Sequence, residues 1–82
     1  MAASDEVATR VQRIVAQRLD VDPSQVTPNA SFIHDLGADS LDCAELPLAL
    51  EDEFGITIPM PDWDDIATVQ QVVDYISQRV PR

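Results

Sequence analysis

The chain has 82 residues, and fifteen Asp plus Glu against five Lys plus Arg give it a formal net charge of −10. That balance repels nucleic acid and anionic lipid and attracts partners with basic patches. A chain this short forms one domain over 1–82, with its core within 5–80 and a net stability of order ~5 kcal/mol. The single cysteine, Cys43, excludes an intrachain disulfide and suits a reducing compartment. No cationic-then-apolar start and no run of eighteen apolar residues is present, so a soluble, cytoplasmic protein without membrane insertion is expected. The opening Met1-Ala2-Ala3-Ser4, with no arginine before Arg10, argues against a retained transit peptide. The basic residues are all arginines: Arg10, Arg13 and Arg18 near the start, Arg79 and Arg82 at the end. The interval between Arg18 and Arg79 is purely acidic.

Ser4 is a candidate N-cap, with Asp5 and Glu6 in a first turn where carboxylates suit the helix dipole. Val7, Val11, Ile14, Val15 and Leu19 recur at steps of three and four and predict the buried stripe of a first helix. It should end near Asp20, ahead of the Asp22-Pro23 turn. Residues 20–39 read as a long connection broken by Pro23, Pro28, Asn29 and Gly37, with Val26, Phe32 and Leu36 pinning it to the core. His34, the single histidine, has no Cys or second His beside it, so a metal role is poor and a solvent-facing imidazole is expected.

A second helix is predicted from Ser40 or Leu41 to Phe54, with Gly55 just past its end. Cys43, Leu46, Pro47, Leu50 and Phe54 share one side of it, and Asp42, Glu45 and Asp52 lie towards the other. Ile56-Thr57-Ile58-Pro59 is too short and proline-flanked for a central strand; an extended connector burying Ile56 and Ile58 is expected. Pro61, followed by Asp62, Asp64 and Asp65, predicts a brief third helix reaching Ile66. Thr68 with Gln71 forms a capping box that opens a last helix; Val69, Val72, Val73 and Ile76 supply its buried face and Pro81 stops it. The fold class is therefore all-α: a small four-helix bundle, three main helices plus a short third, with a long loop between helices one and two.

Ser40 stands out because a hydroxyl at a helix start meets free backbone N–H groups and a dipole that favours an anion. Nucleophilic catalysis would need a base oriented by a third group, and no histidine or lysine lies within a few residues after Ser40. A calcium loop starting at Asp35 fails because Gly37 and Leu41 fall where oxygen ligands are required. A serine modified by another enzyme, and no resident metal, is the reading that survives.

The segment Asp35-Leu36-Gly37-Ala38-Asp39-Ser40-Leu41 resembles the modification motif of the acyl carrier proteins, freestanding carriers with a phosphopantetheine arm. The resemblance continues through Glu45-Leu46, Ala49-Leu50-Glu51-Asp52-Glu53-Phe54-Gly55, Ile58-Pro59 and Ile66 to Ile76, in one register over residues 7–76. It implies that Ser40, flanked by Asp39 and Leu41, carries 4′-phosphopantetheine derived from coenzyme A, and that the chain is a carrier and not an enzyme. It implies a phosphopantetheinyl transferase as partner, with acyl-loading and chain-elongating enzymes that dock through basic patches. Asp39, Leu41, Asp42, Glu45, Leu48 and Asp52 correspond to the recognition face. Cys43, Leu46, Pro47, Leu50, Phe54, Ile58, Trp63, Ile66 and Val72 are the expected surround of an acyl pocket. A monomer is expected.

Two residues depart from the family pattern. Pro47 sits inside the second helix, where it lacks an N–H and crowds the Cys43 carbonyl, so a kink or irregularity opening the inward face is expected around Cys43–Pro47. Trp63 on the third helix either packs against the core beside Ile66 or gates a pocket between helices two and three. Carriers of amino or aryl acids usually have glycine-rich residues ahead of the serine, and Asp39 argues against that class. The alternative outside carriers is an acidic interaction module with an unmodified Ser40.

Overall fold

A computed structural model describes residues 3–80, with side chains from Glu6 onward. Four α-helices follow one another: α1 (Ala3–Leu19), α2 (Ser40–Phe54), α3 (Met60–Asp64) and α4 (Val69–Ser77). The described residues contain no strand, only a single bridge between Ser31 and Thr68, and no helix among them is long and apolar enough to cross a membrane.

α1 already includes Ala3, so Ser4 lies within its first turn instead of capping it; the side chains of Ser4 and Asp5 lie outside the described residues. Val7, Val11 and Val15 bury its stripe, with Ile14 and Leu19 packed at the edge. The helix closes with Asp20 in the left-handed region at φ 55° and the Val21 N–H donating to the Ala16 carbonyl at 3.1 Å. That is a Schellman-type ending, a geometry usually given to glycine. Asp22 then caps a 3-10 turn at Pro23–Gln25, and its carboxyl is held below the ordinary range by the Ser24 N–H it accepts at 2.8 Å.

α1 packs mainly on α4 and α2. Val11, Val15, Leu46, Leu50, Val72 and Ile76 form the fully enclosed centre. At the rim, Arg10 Nε donates to Glu53 Oε2 at 2.8 Å while its guanidinium lies 4.4 Å from the Phe54 ring centroid, joining α1 to the end of α2.

The connection over residues 20–39 is pinned by Val26, Phe32 and Leu36, with Ala30 and Ala38 buried as well. It is also stitched to the last helix. Val69 donates to the Ala30 carbonyl at 3.1 Å, Gln70 to Pro28 at 2.9 Å, and Phe32 to Ala67 at 3.1 Å. Two N–H groups that a helix start leaves orphaned are thereby satisfied by the loop. The Thr68–Gln71 capping box is formed.

α2 runs unbroken through Pro47. The expected opening of the inward face is absent: Pro47 is buried and its neighbours Leu46 and Leu50 are fully enclosed. Burial of the pyrrolidine ring against the core offsets part of the cost of the missing N–H, so the proline acts as a packing residue. The connector 56–59 is extended and buries Ile58, whose N–H donates to Glu51 Oε2 at 2.6 Å. α3 ends at Asp64, two residues short of the expected Ile66. α4 ends at Ser77; Pro81, expected to stop it, lies outside the described residues.

Candidate functional site

Ser40 is the first residue of α2 and is exposed, with no hydrogen bond from its hydroxyl among the described residues. What delivers it there is a compact turn. Ser31 donates to Asp35 Oδ2 at 2.7 Å, the Asp35 and Leu36 N–H groups return to the Ser31 carbonyl at 3.0 Å, and Ala38 donates to Phe32 at 2.8 Å. Gly37, at φ 71°, reverses the chain between the buried Leu36 and Ala38. Asp35 is therefore a structural residue of the loop, a role that spacing alone did not reveal.

Asp39 is the N-cap. Its carboxylate accepts from the Asp42 N–H at 2.9 Å while Asp42 accepts from the Asp39 N–H at 3.1 Å. This reciprocal pair is a capping box built from two aspartates, missed because the familiar signature has Ser or Thr followed by Glu or Gln. Its signal was present in the three-residue spacing of acids at the start of an apolar run. The cap also occupies the Asp42 N–H that an anion at the helix start would otherwise use, so a phosphate on Ser40 gains little from that group.

Beside Ser40 opens a groove of about 320 Å³. Ser40, Cys43 and Ala44 supply the α2 wall, and Met60, Trp63 and Asp64 the α3 wall. Ile33 and Ile66 line it from the flanking loops. Trp63 is almost completely buried and packs on Phe32, ring centroids 5.7 Å apart at 37°. Cys43 is half-buried, and desolvation, with the Asp42 and Asp39 charges adding, pushes its thiol pKa up. It is a small apolar wall element, not an activated nucleophile.

The residues expected around a pocket thus divide. Cys43, Trp63 and Ile66 meet at the groove, whereas Leu46, Pro47, Leu50, Phe54, Ile58 and Val72 are buried in the core. Ile33, Ala44, Met60 and Asp64 line the groove without having been singled out; Ile33 in a polar loop and Met60 between two prolines were the available signals. Along the outside of α2, Leu41 (65% exposed) and Leu48 (61%) stand beside the exposed Glu45 and Asp52. His34 is exposed on its loop, and no histidine hydrogen-bonds Ser40.

The described residues thus form an all-helical domain with an accessible serine on an acidic helix start and a groove beside it. A family profile described as “Phosphopantetheine attachment site” matches residues 9–76. The chain is also 53% identical over 73 residues to a protein of Cyanidioschyzon merolae named “Acyl carrier protein”, an overlap covering 89% of this chain and 80% of that one. The chain belongs to the acyl carrier protein family, and its domain carries 4′-phosphopantetheine as a covalent group. Proteins of this family partner with phosphopantetheinyl transferase and with biosynthetic enzymes.

Proposed function

We propose that Ser40 is the attachment point of the arm and that the protein presents acyl thioesters to enzymes of fatty-acid or specialised lipid and polyketide synthesis, as a monomer in the cytoplasm. The observation that carries this reading is the exposed, unengaged Ser40 hydroxyl at the first residue of α2, directly on the rim of an apolar groove. The arm supplies a thiol that holds acyl groups as thioesters. This chain's residues do the rest. The Asp39–Asp42 cap and the Asp35-bonded turn hold the serine backbone in place, so a transferase meets a fixed target. Leu41 and Leu48 offer apolar anchors, and Asp39, Asp42, Glu45 and Asp52 surround them with negative charge that steers basic partners to this face. Cys43, Trp63 and Ile66 supply the apolar surface beside the arm's origin.

A thiol count tests the attachment. A Cys43→Ala chain has no thiol of its own. After incubation with coenzyme A and a promiscuous phosphopantetheinyl transferase, followed by removal of coenzyme A, it should gain one titratable thiol per chain. The same chain with Ser40→Ala should gain none. A gain that survives Ser40→Ala, or no gain in either chain, contradicts the assignment.

A further inference from the structure

We propose that Trp63 is the floor of the groove beside Ser40 and sets the length of acyl chain that the protein can cover, favouring short cargo and leaving the distal part of a long chain outside. The proposal rests on the reading of Ser40 as the arm-bearing residue, which makes the cargo of this same chain the occupant of the groove.

The groove has an open mouth and a closed base. Ile33 and Met60 at its rim are 59% and 56% exposed, while Trp63 lines it yet is only 5% exposed. One part of the indole therefore faces the groove, and the remainder is inside the protein, against the buried Phe32. The core that contains Trp63 also contains Leu46 and Leu50, neither with any exposed surface, so the groove does not continue inwards as a preformed channel. At about 320 Å³ it stands at the small end of the roughly 300–1,000 Å³ range of sites that enclose a ligand.

Trp63 is also held where it is. Its backbone N–H donates to the Pro59 carbonyl at 3.1 Å, and the residue before it, Asp62, accepts the Tyr75 hydroxyl at 2.6 Å, tying the α3 backbone to α4. Swinging the indole aside would break the Phe32 contact. Each methylene covered by apolar surface favours the seated form about fourfold, and a methylene in water adds nothing. Coverage therefore rises with chain length only until the chain meets the indole and turns outward.

Ser40 loaded with a graded series of amide-linked acyl-pantetheines, from short to long and each verified by intact mass, tests this. Trp63 is the single tryptophan and Cys43 the single cysteine, so indole emission and Cys43 alkylation rate both report on the groove in loaded protein, whose amide-linked arm has no thiol. In the wild type both should change with each added methylene and then level off. In Trp63→Leu the alkylation rate should level off at a chain several methylenes longer. Trp63→Phe, which keeps an aromatic ring on Phe32 and guards against loss of folding as judged by circular dichroism, should level off in between. Emission blind to chain length, or the same levelling length in a folded Trp63 variant, would overturn the proposal while leaving attachment at Ser40 intact. A chain that takes no arm by mass overturns both.

Discussion

Tyr75 shows how one side chain makes stability depend on pH. Its phenol pKa is raised above the usual value of about 10, first by desolvation and then by donation to Asp62, with the Arg79 guanidinium 3.6 Å from the ring centroid pulling the other way. A group with a raised folded pKa holds its proton more tightly when folded. Its contribution is whole below the ordinary value and is lost as pH rises through the folded one. The thiol of Cys43 is shifted in the same direction, so the experiment belongs in a Cys43→Ala background. Urea midpoints there should fall as pH climbs past about 10, and Tyr75→Phe should flatten that fall. An unchanged slope in Tyr75→Phe would show that the hydroxyl does not hold α3. Pro47 offers a second residue-level test. Alanine restores an N–H for the Cys43 carbonyl and relieves about 3 kcal/mol of helix cost, while losing two buried ring methylenes at ~0.8 kcal/mol each. Pro47→Ala should therefore be more stable by about 1 kcal/mol; a lower melting temperature would mean that packing outweighs the backbone term. Its position in the sequence announced the backbone cost and its place on the apolar side of the helix, but not how closely the ring is enclosed, since that depends on which neighbours the tertiary fold supplies.

The helices themselves were largely legible because their signals are local. The three- and four-residue spacing of Val7, Val11 and Val15, the Thr68–Gln71 box and Gly55 at the end of α2 each act within one or two turns, and each element formed there. What local pattern could not show is the hydrogen bonding of residues 28–32 to the start of α4, because those partners lie 35 to 42 positions apart. The aspartate pair at the start of α2 was local but atypical in chemistry. The groove was half legible: Cys43, Trp63 and Ile66 were singled out, but the loop residue Ile33 reaches the same wall only through the turn built on Asp35. The end of α1 carries its own expectation. Asp20 adopts a left-handed backbone and places a carboxylate at the negative end of the helix dipole, both unfavourable. Asp20→Gly removes both and loses some ground through a more flexible unfolded chain, for a net gain of about 0.5–1 kcal/mol. That should appear as a melting temperature a few degrees higher; a decrease would mean that the Asp20 side chain has a stabilising role.

Across the whole molecule, charge and fold act against each other. A net charge of −10 is carried by a chain with no cation between Arg18 and Arg79, so the compact state repels itself more than the expanded one. Screening shortens the reach of those charges to about 10 Å at 0.1 M salt. The melting temperature should rise with sodium chloride from low to moderate ionic strength, and association with basic partner enzymes should weaken over the same range. A flat melting curve would mean that the acidic side chains are too dispersed to strain the fold. α2 carries Ser40 at its head, with Leu41 and Leu48 exposed along it and the groove beside it; in the proposed reading its acidity steers basic partners to this face. The proposed use of these features together depends on Ser40 bearing the arm. The most direct measurement is therefore intact mass of the wild type and Ser40→Ala, side by side, after incubation with coenzyme A and a phosphopantetheinyl transferase. The account requires a gain of one phosphopantetheine in the wild type and none in Ser40→Ala; an unmodified wild type, or an equal gain in both, would contradict it.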